Sequence, residues 1–188
     1  MSSARTAAGF DRFALGSVTE KVLRKARCPV LTLPPGAART ADTVRYRQIL
    51  CPTDFHDPSN QAIQFAIWLA LKTNGAITLI HVVEAEQEEE PFDDLPHDSA
   101  PWRRQRHCAA SRALHETAAR HKTVPVDIRQ RVLVGKPHRG ILRAATDCGA
   151  DVIVMGIRGR GPVDLSLFGS TANQVVRRAA CPVITCRS

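Results

Sequence analysis

Three glycines and a serine carry the most chemically suggestive spacing in this chain. Between Gly156 and Ser170 the sequence reads G-x2-G-x9-G-S, as Gly156-Ile157-Arg158-Gly159, nine residues, and then Gly169-Ser170. The motif directly follows the apolar run Val152-Ile153-Val154-Met155 and directly precedes a helical pattern. Glycines therefore fall where a strand hands over to a loop and where that loop enters a helix. Glycine lets backbone amides approach an anion with no Cβ in the way, and a helix N-terminus offers unpaired N–H groups with a favourable dipole. Phosphate binding is the chemistry this geometry supports, although strand exits also use glycine for plain turns. No lysine follows the glycines and G-x4-G-K-[ST] is absent, which excludes a Walker-type ATPase. Nor is there a positioned acid and base that would suggest efficient hydrolysis.

The elements that must position this motif alternate from about residue 48 onward. Ile49-Leu50-Cys51 reads as a short strand, and Asp57-Pro58 as the N-cap and first-turn proline of a helix with the stripe Ile63, Ala66, Ile67, Ala70, Leu71. Asn74-Gly75 stops that helix. Residues 76–83 form a continuous apolar strand of the kind buried in a parallel sheet. A polar loop over 84–101 leads to a helix over about 102–121, with Ala110, Ala113, Leu114 and Ala118 on one face. Residues 126–132 mix apolar and charged positions, which suits a sheet edge. Pro137 opens a helix with the stripe Ile141, Ala144, Ala145, Cys148, closed by Gly149. After the strand at 152–155 and the glycine motif, the last helix shows Ala172, Val175, Val176, Ala179, and residues 183–186 form the final strand. Five strands alternating with four helices predict a doubly wound α/β parallel sheet with its ligand crevice at the strand C-termini.

An internal repeat accounts for the N-terminal remainder. Shifted by 153 positions, residues 9–33 match Asp11 with Asp164, Gly16-Ser17 with Gly169-Ser170, Val22 with Val175, Arg24 with Arg177, Ala26 with Ala179, Cys28-Pro29-Val30 with Cys181-Pro182-Val183, and Thr32 with Thr185. Residues 1–33 thus read as the last helix and strand of a truncated first copy, 34–47 as a linker, and 48–188 as a complete domain. Gly156 and Gly159 fall on Ser3 and Thr6 under this shift, so the fragment lacks the first half of the glycine motif and is not expected to bind phosphate alone. A helix over 17–26 with the stripe Thr19, Val22, Leu23, Ala26, and a strand over 30–33, are expected. That strand can lie antiparallel against residues 183–186 of the same molecule or of a neighbour. Cys28 and Cys181, equivalent in the repeat, are expected to pack against the preceding helix.

Residues 1–47 carry nine Lys/Arg against three acids, +6 of the chain's net +8, so the basic charge belongs mostly to the appendage. In the main body an acidic stretch over 84–94 is followed by Arg103-Arg104-Gln105-Arg106, a mixed surface that argues against a specific nucleic-acid role. No apolar run approaches the roughly 20 residues of a membrane span, and the N-terminus has no apolar signal core. A cytoplasmic protein is expected. The six scattered cysteines, with no C-x-x-C pair, read as buried reduced thiols rather than a disulfide or zinc framework.

Gln48-Ile49-Leu50-Cys51-Pro52-Thr53-Asp54-Phe55, Leu79-Ile80-His81-Val82-Val83, Gly149-Ala150-Asp151-Val152-Ile153-Val154-Met155-Gly156, the glycine motif and Cys181-Pro182-Val183, in this order and spacing, resemble the universal stress protein family. The resemblance covers residues 46–187, and the N-terminal fragment looks like the tail of a second such domain. It implies a five-stranded parallel sheet of the adenine nucleotide alpha hydrolase type, in strand order 3-2-1-4-5. An intact glycine motif resembles the members that bind ATP, with Mg as the expected companion. On that resemblance Gly156 and Gly159 shape the loop around phosphates and ribose, while Gly169, Ser170 and Thr171 present amides and hydroxyls to the phosphates. Pro52, Thr53 and Asp54 sit at the first strand's exit, with Asp54 accepting from ribose or base or else capping the next helix. Val82 meets the adenine edge by its backbone, Met155 lines the pocket, and Arg158 either pairs with a phosphate or is a solvated loop arginine. His56 takes a position that is often serine in the family, and His81 reads as a packed strand-end histidine.

The function these readings imply is a regulatory, nucleotide-binding stress protein, not an enzyme, with at most weak ATPase activity. Its partners are an adenine nucleotide and either a second copy or its own N-terminal strand, paired through the last strand. A nucleotide-free interaction module and a slow hydrolase using Asp54 and His56 are the alternatives.

Overall fold

The structure, a computed structural model, describes residues 17–34, 46–85, 101–121, 123–157 and 169–187. In chain order these form α1 (Ser17–Lys25), β1 (Val30–Thr32), β2 (Gln48–Pro52), α2 (Asp57–Thr73), β3 (Ala76–Glu84), α3 (Pro101–Ala119), β4 (Ile128–Gly135), α4 (Pro137–Asp147), β5 (Val152–Ile157), α5 (Ser170–Arg178) and β6 (Val183–Arg187). One sheet holds six strands in the order β1-β6-β5-β2-β3-β4. β2 to β6 run parallel in the expected 3-2-1-4-5 arrangement, and β1 joins antiparallel beside β6. The sheet is therefore six-stranded and mixed, the appendage having been absorbed into it.

Two apolar layers sandwich the sheet. On one side Ile63, Ala66, Ile67 and Ala70 of α2 and Ala110, Leu114 and Ala118 of α3 pack on Ile49, Cys51, Leu79, Val152, Val154, Ile184 and Cys186. On the other, Ile141 and Ala144 of α4 and Ala172, Val175 and Val176 of α5 pack on Leu50, Ile80, Ile153, Met155 and Val183. Alternate strand residues supply the two layers, as the pleat requires. Local signals placed the elements with small errors. His56, not Asp57, is the N-cap of α2, with Pro58 in the first turn. Leu71, expected on the buried stripe, is 48% exposed, on the flank of α2 away from the sheet-facing Ile63, Ala66 and Ala70. β4 is an edge strand as its mixed composition implied, but runs to Gly135, two residues later at its start than expected. The chain around Pro125 turns first, with Val126 N–H donating to Val124 O at 2.8 Å.

The β1–β6 register pairs Val30 with Thr185, Leu31 with Ile184 and Thr32 with Val183. Because Val30, Leu31 and Thr32 are the repeat equivalents of Val183, Ile184 and Thr185, the pairing has a local twofold centred on Leu31 and Ile184. Leu23 of α1, 1% exposed, anchors the unit in the α4–α5 layer. Positions that the C-terminal copy buries are open in the N-terminal one. Val175 is fully covered while Val22 is 45% exposed, and Ile184 is 6% exposed while Leu31 is 47%. The α1–β1 unit lies at the end of the sheet, so whatever covers these positions in the complete copy has no counterpart among the described residues. This corrects the expected burial of Val22 and of Cys28, which is exposed, and Cys108 on α3 is exposed as well.

Two measurable outcomes follow from this packing. Removing residues 1–34 uncovers the β6 edge and discards the buried Leu23, a side chain worth about 1.5–3 kcal/mol. A chain of this size shifts its melting temperature by roughly 2–4 °C per kcal/mol. The truncated chain is therefore expected to melt about 5 °C lower, with faster amide exchange in β6; equal stability would mean that the fragment seals nothing.

All six thiols are free: Cys28 and Cys108 are exposed, Cys51 and Cys186 buried, and Cys148 and Cys181 half-buried. Burial pushes the Cys51 thiol far up, with Cys186 adding to it, and pushes Cys181 and Cys186 up to about 11. A thiol reagent at neutral pH should modify Cys28 and Cys108 rapidly, and Cys51 and Cys186 only on unfolding. Fast labelling of the buried pair in native protein would contradict the packing described.

Candidate functional site

The C-terminal ends of β2, β3, β4 and β5 open into a cavity of about 1270 Å³. β2 and β5 are neighbours whose following helices, α2 and α5, lie on opposite faces of the sheet, so the chain direction reverses there and leaves a crevice. Into it come Pro52, Thr53 and Asp54 from the β2 exit, Val82 from β3, Met155 and Gly156 from β5, and Gly169, Ser170 and Thr171 from the start of α5. Nine of the eleven residues singled out from sequence thus line one cavity. The remaining two, Arg158 and Gly159, lie outside the described residues.

The β2 exit is a tightly bonded turn. Thr53 extends the ladder by donating its N–H to Ile80 O at 2.8 Å, and its Oγ1 accepts the Phe55 N–H at 3.0 Å. Asp54 Oδ1 accepts from the His56 N–H at 3.2 Å and from the Ser59 hydroxyl, while Ser59 Oγ in turn accepts the Asp54 N–H at 3.2 Å. Of the two sequence readings of Asp54, the structure bears on the brace at the entry to the next helix. The Asp54 side chain remains about half exposed beside the cavity. Phe55 takes a left-handed backbone, φ 64°, unusual for a bulky residue and paid for by this bonding. Its ring stacks on His81 at 4.4 Å, and His81 Nδ1 donates to Thr53 O at 2.8 Å, which fixes the tautomer. His81 is packed as expected, although β3 continues past it to Glu84. His56, exposed, donates Nδ1–H to Asp54 O at 2.7 Å.

Gly156 and Gly169 are glycines for different reasons. A Cβ on Gly156 would meet the backbone C and O of Pro58 at 2.4 Å and Ser59 N at 2.6 Å, so its absence lets β5 run against the first turn of α2. Gly169 has open space around it, but its φ of 76° is one that L side chains rarely adopt. It is the N-cap of α5 and supplies no side-chain cap. Its carbonyl accepts the Asn173 N–H at 3.0 Å, and the amides of Ser170, Thr171 and Ala172 ahead of that first bond have no partner within the helix. An anion seated there would meet them with the dipole in its favour.

Sequence reasoning did not assign several lining residues to the site: Ser59, Lys136 after β4, and Arg106 with Ala109, Ala110 and Ala113 on α3. Ser59 was legible as a first-turn serine five residues after Asp54. Lys136 and Arg106 reach the cavity only through tertiary packing. Among the described residues no three His, Cys, Asp or Glu side chains are grouped to hold a metal ion, and no helix is long and apolar enough to cross a membrane.

The sequence profile of the universal stress protein family matches residues 3–34 and, separately, 45–187. A universal stress protein of Methanocaldococcus jannaschii is 31% identical over 142 residues, covering 74% of this chain and 81% of its own length. The crystal structure of a universal stress protein from Archaeoglobus fulgidus is similar with a TM-score of 0.66 at 26% identity, over 92% of this chain and 54% of that one, so this chain spans about half its length. A universal stress protein solved in complex with cAMP has a TM-score of 0.56 over 76% of this chain and 98% of its own, at 21% identity, a likeness of fold alone.

Proposed function

Because this chain belongs to the universal stress protein family, we propose that it binds an adenine nucleotide, foremost ATP with Mg, in the crevice between β2 and β5, and that binding rather than turnover is its task. One observation carries this reading. Asp54 and the α5 N-terminus, more than a hundred residues apart in sequence, line the same cavity together with the end of β3. The arrangement offers an acceptor for ribose or base hydroxyls at one end and unpaired amides for phosphates at the other. Val82 and Met155 supply apolar lining in the same cavity. Further support comes from the relative crystallised with cAMP, an adenine nucleotide held by the same fold. In the proposed state Mg arrives with the phosphates, and the occupied crevice alters conformation or association in a stress response. The N-terminal unit is, on this proposal, the tail of a second such domain. Denaturing freshly purified protein and identifying the released small molecules by mass spectrometry tests the ligand. An adenine nucleotide at near-stoichiometric amount is expected; protein that releases none and takes up none on incubation would refute the proposal.

A further inference from the structure

Gly140 stands inside α4, where glycine weakens a helix relative to alanine. Its N–H donates to Lys136 O at 3.0 Å, the first α-helical bond of α4, so the backbone there is ordinary helix and does not itself ask for glycine. Space supplies the reason. A Cβ on Gly140 would lie 3.0 Å from Cγ2 and 3.2 Å from Cγ1 of Val82, with Leu133 Cδ1 at 3.7 Å. Both methyls of one valine thus stand closer than the 3.4 Å at which ordinary contact begins. Leu133 is the register partner of Val82 across β3 and β4, and the two strands are held together by their ladder, so the valine has little freedom to retreat from α4.

Both sides of this contact are walls of the cavity described above. Val82 lines it from β3, while Pro137 and Ile141, three residues before Gly140 and one after, line it from α4. Whichever side gives way to an added Cβ, a cavity wall moves. We propose that Gly140 is a positioning residue of the crevice. Its missing side chain lets the first turns of α4 close on Val82, and that seat fixes the end of β3 against which the base of the nucleotide is held. Gly140 touches no ligand in this assignment, which rests on the nucleotide reading of the site, and acts only through Val82. The phosphates, held at the start of α5, are untouched by it.

A double-mutant cycle of Gly140→Ala and Val82→Ala, followed by thermal melting and by calorimetry with ATP and with AMP, tests the assignment. Alanine favours the helix, so at a position with free space Gly140→Ala would melt above the parent. Here it is expected to fold but to melt no higher, and to bind ATP and AMP about 10-fold more weakly, in the range of couplings between residues in contact. The factor should be the same for both ligands, because they share the base and differ in the phosphates. Val82→Ala removes the two methyls that the new Cβ meets. In that background Gly140→Ala is expected to raise the melting temperature and to change either affinity by no more than about twofold. A loss that persists in the Val82→Ala background would overturn the assignment, as would a loss for ATP alone, which would place the fault at the phosphates. A parent that binds both nucleotides while Gly140→Ala binds them equally well would overturn this assignment and leave the nucleotide reading standing. A parent that binds neither would overturn both.

Discussion

Replacing Gly169 by valine is expected to weaken nucleotide binding by about 100-fold or more while the sheet stays folded. Nothing lies within 4 Å of the position a Cβ would take, so the effect does not run through crowding. It runs through the backbone. At φ 76° and ψ 131° a β-branched residue costs on the order of 1–3 kcal/mol, and the chain relieves that strain by turning the loop away from its present path. The amides at the start of α5 then no longer converge. A hydrogen bond to a charged group contributes about 1.5–3 kcal/mol, so losing two amide contacts to a phosphate reaches the stated loss at about 1.4 kcal/mol per factor of ten. Titration calorimetry on folded variant and parent makes the comparison. Equal affinities would remove the α5 N-terminus from the site.

Gly156→Val should act first on stability. Its Cβ would sit 2.4 Å from the Pro58 carbonyl group and 2.6 Å from Ser59 N, and backbone atoms cannot swing aside as a flexible side chain can. Either β5 or the first turn of α2 must move, and both belong to the core. Overpacking of this kind costs about 1–3 kcal/mol, occasionally more. A loss of about 3 kcal/mol is expected here, which lowers the melting temperature by roughly 6–12 °C for a chain of this size. Because Ser59 exchanges hydrogen bonds with Asp54, the same displacement disturbs the β2 exit and with it the crevice. A Gly156→Val variant that melts with the parent would contradict the close approach of β5 to α2.

Much of this was legible in the residues themselves. Apolar stripes at helical spacing placed the core helices, because burial against one sheet selects one face of each. The 153-residue repeat anticipated the antiparallel pairing of β1 with β6, since a last strand and its copy present matching edges. Less legible was anything that depends on what lies beyond an element. Val22, Leu31 and Cys28 have the residue types of buried positions and are exposed, because the unit that carries them ends the sheet. Gly156 read as a glycine for an approaching anion, and the structure adds the contact with Pro58 and Ser59, which no local pattern reveals. The left-handed turn at Phe55 is likewise invisible in a phenylalanine; it arises from hydrogen bonds among Thr53, Asp54, His56 and Ser59 that form only once β2 and α2 are in place.

Titrating the purified, nucleotide-stripped chain with Mg-ATP in a calorimeter, with Gly169→Val measured alongside, tests nucleotide binding in the crevice most directly. The predicted result is saturable binding of one nucleotide per chain in the parent and its loss in the folded variant. No binding of ATP or any other adenine nucleotide by the folded parent, or binding that is indifferent to Gly169, would contradict it.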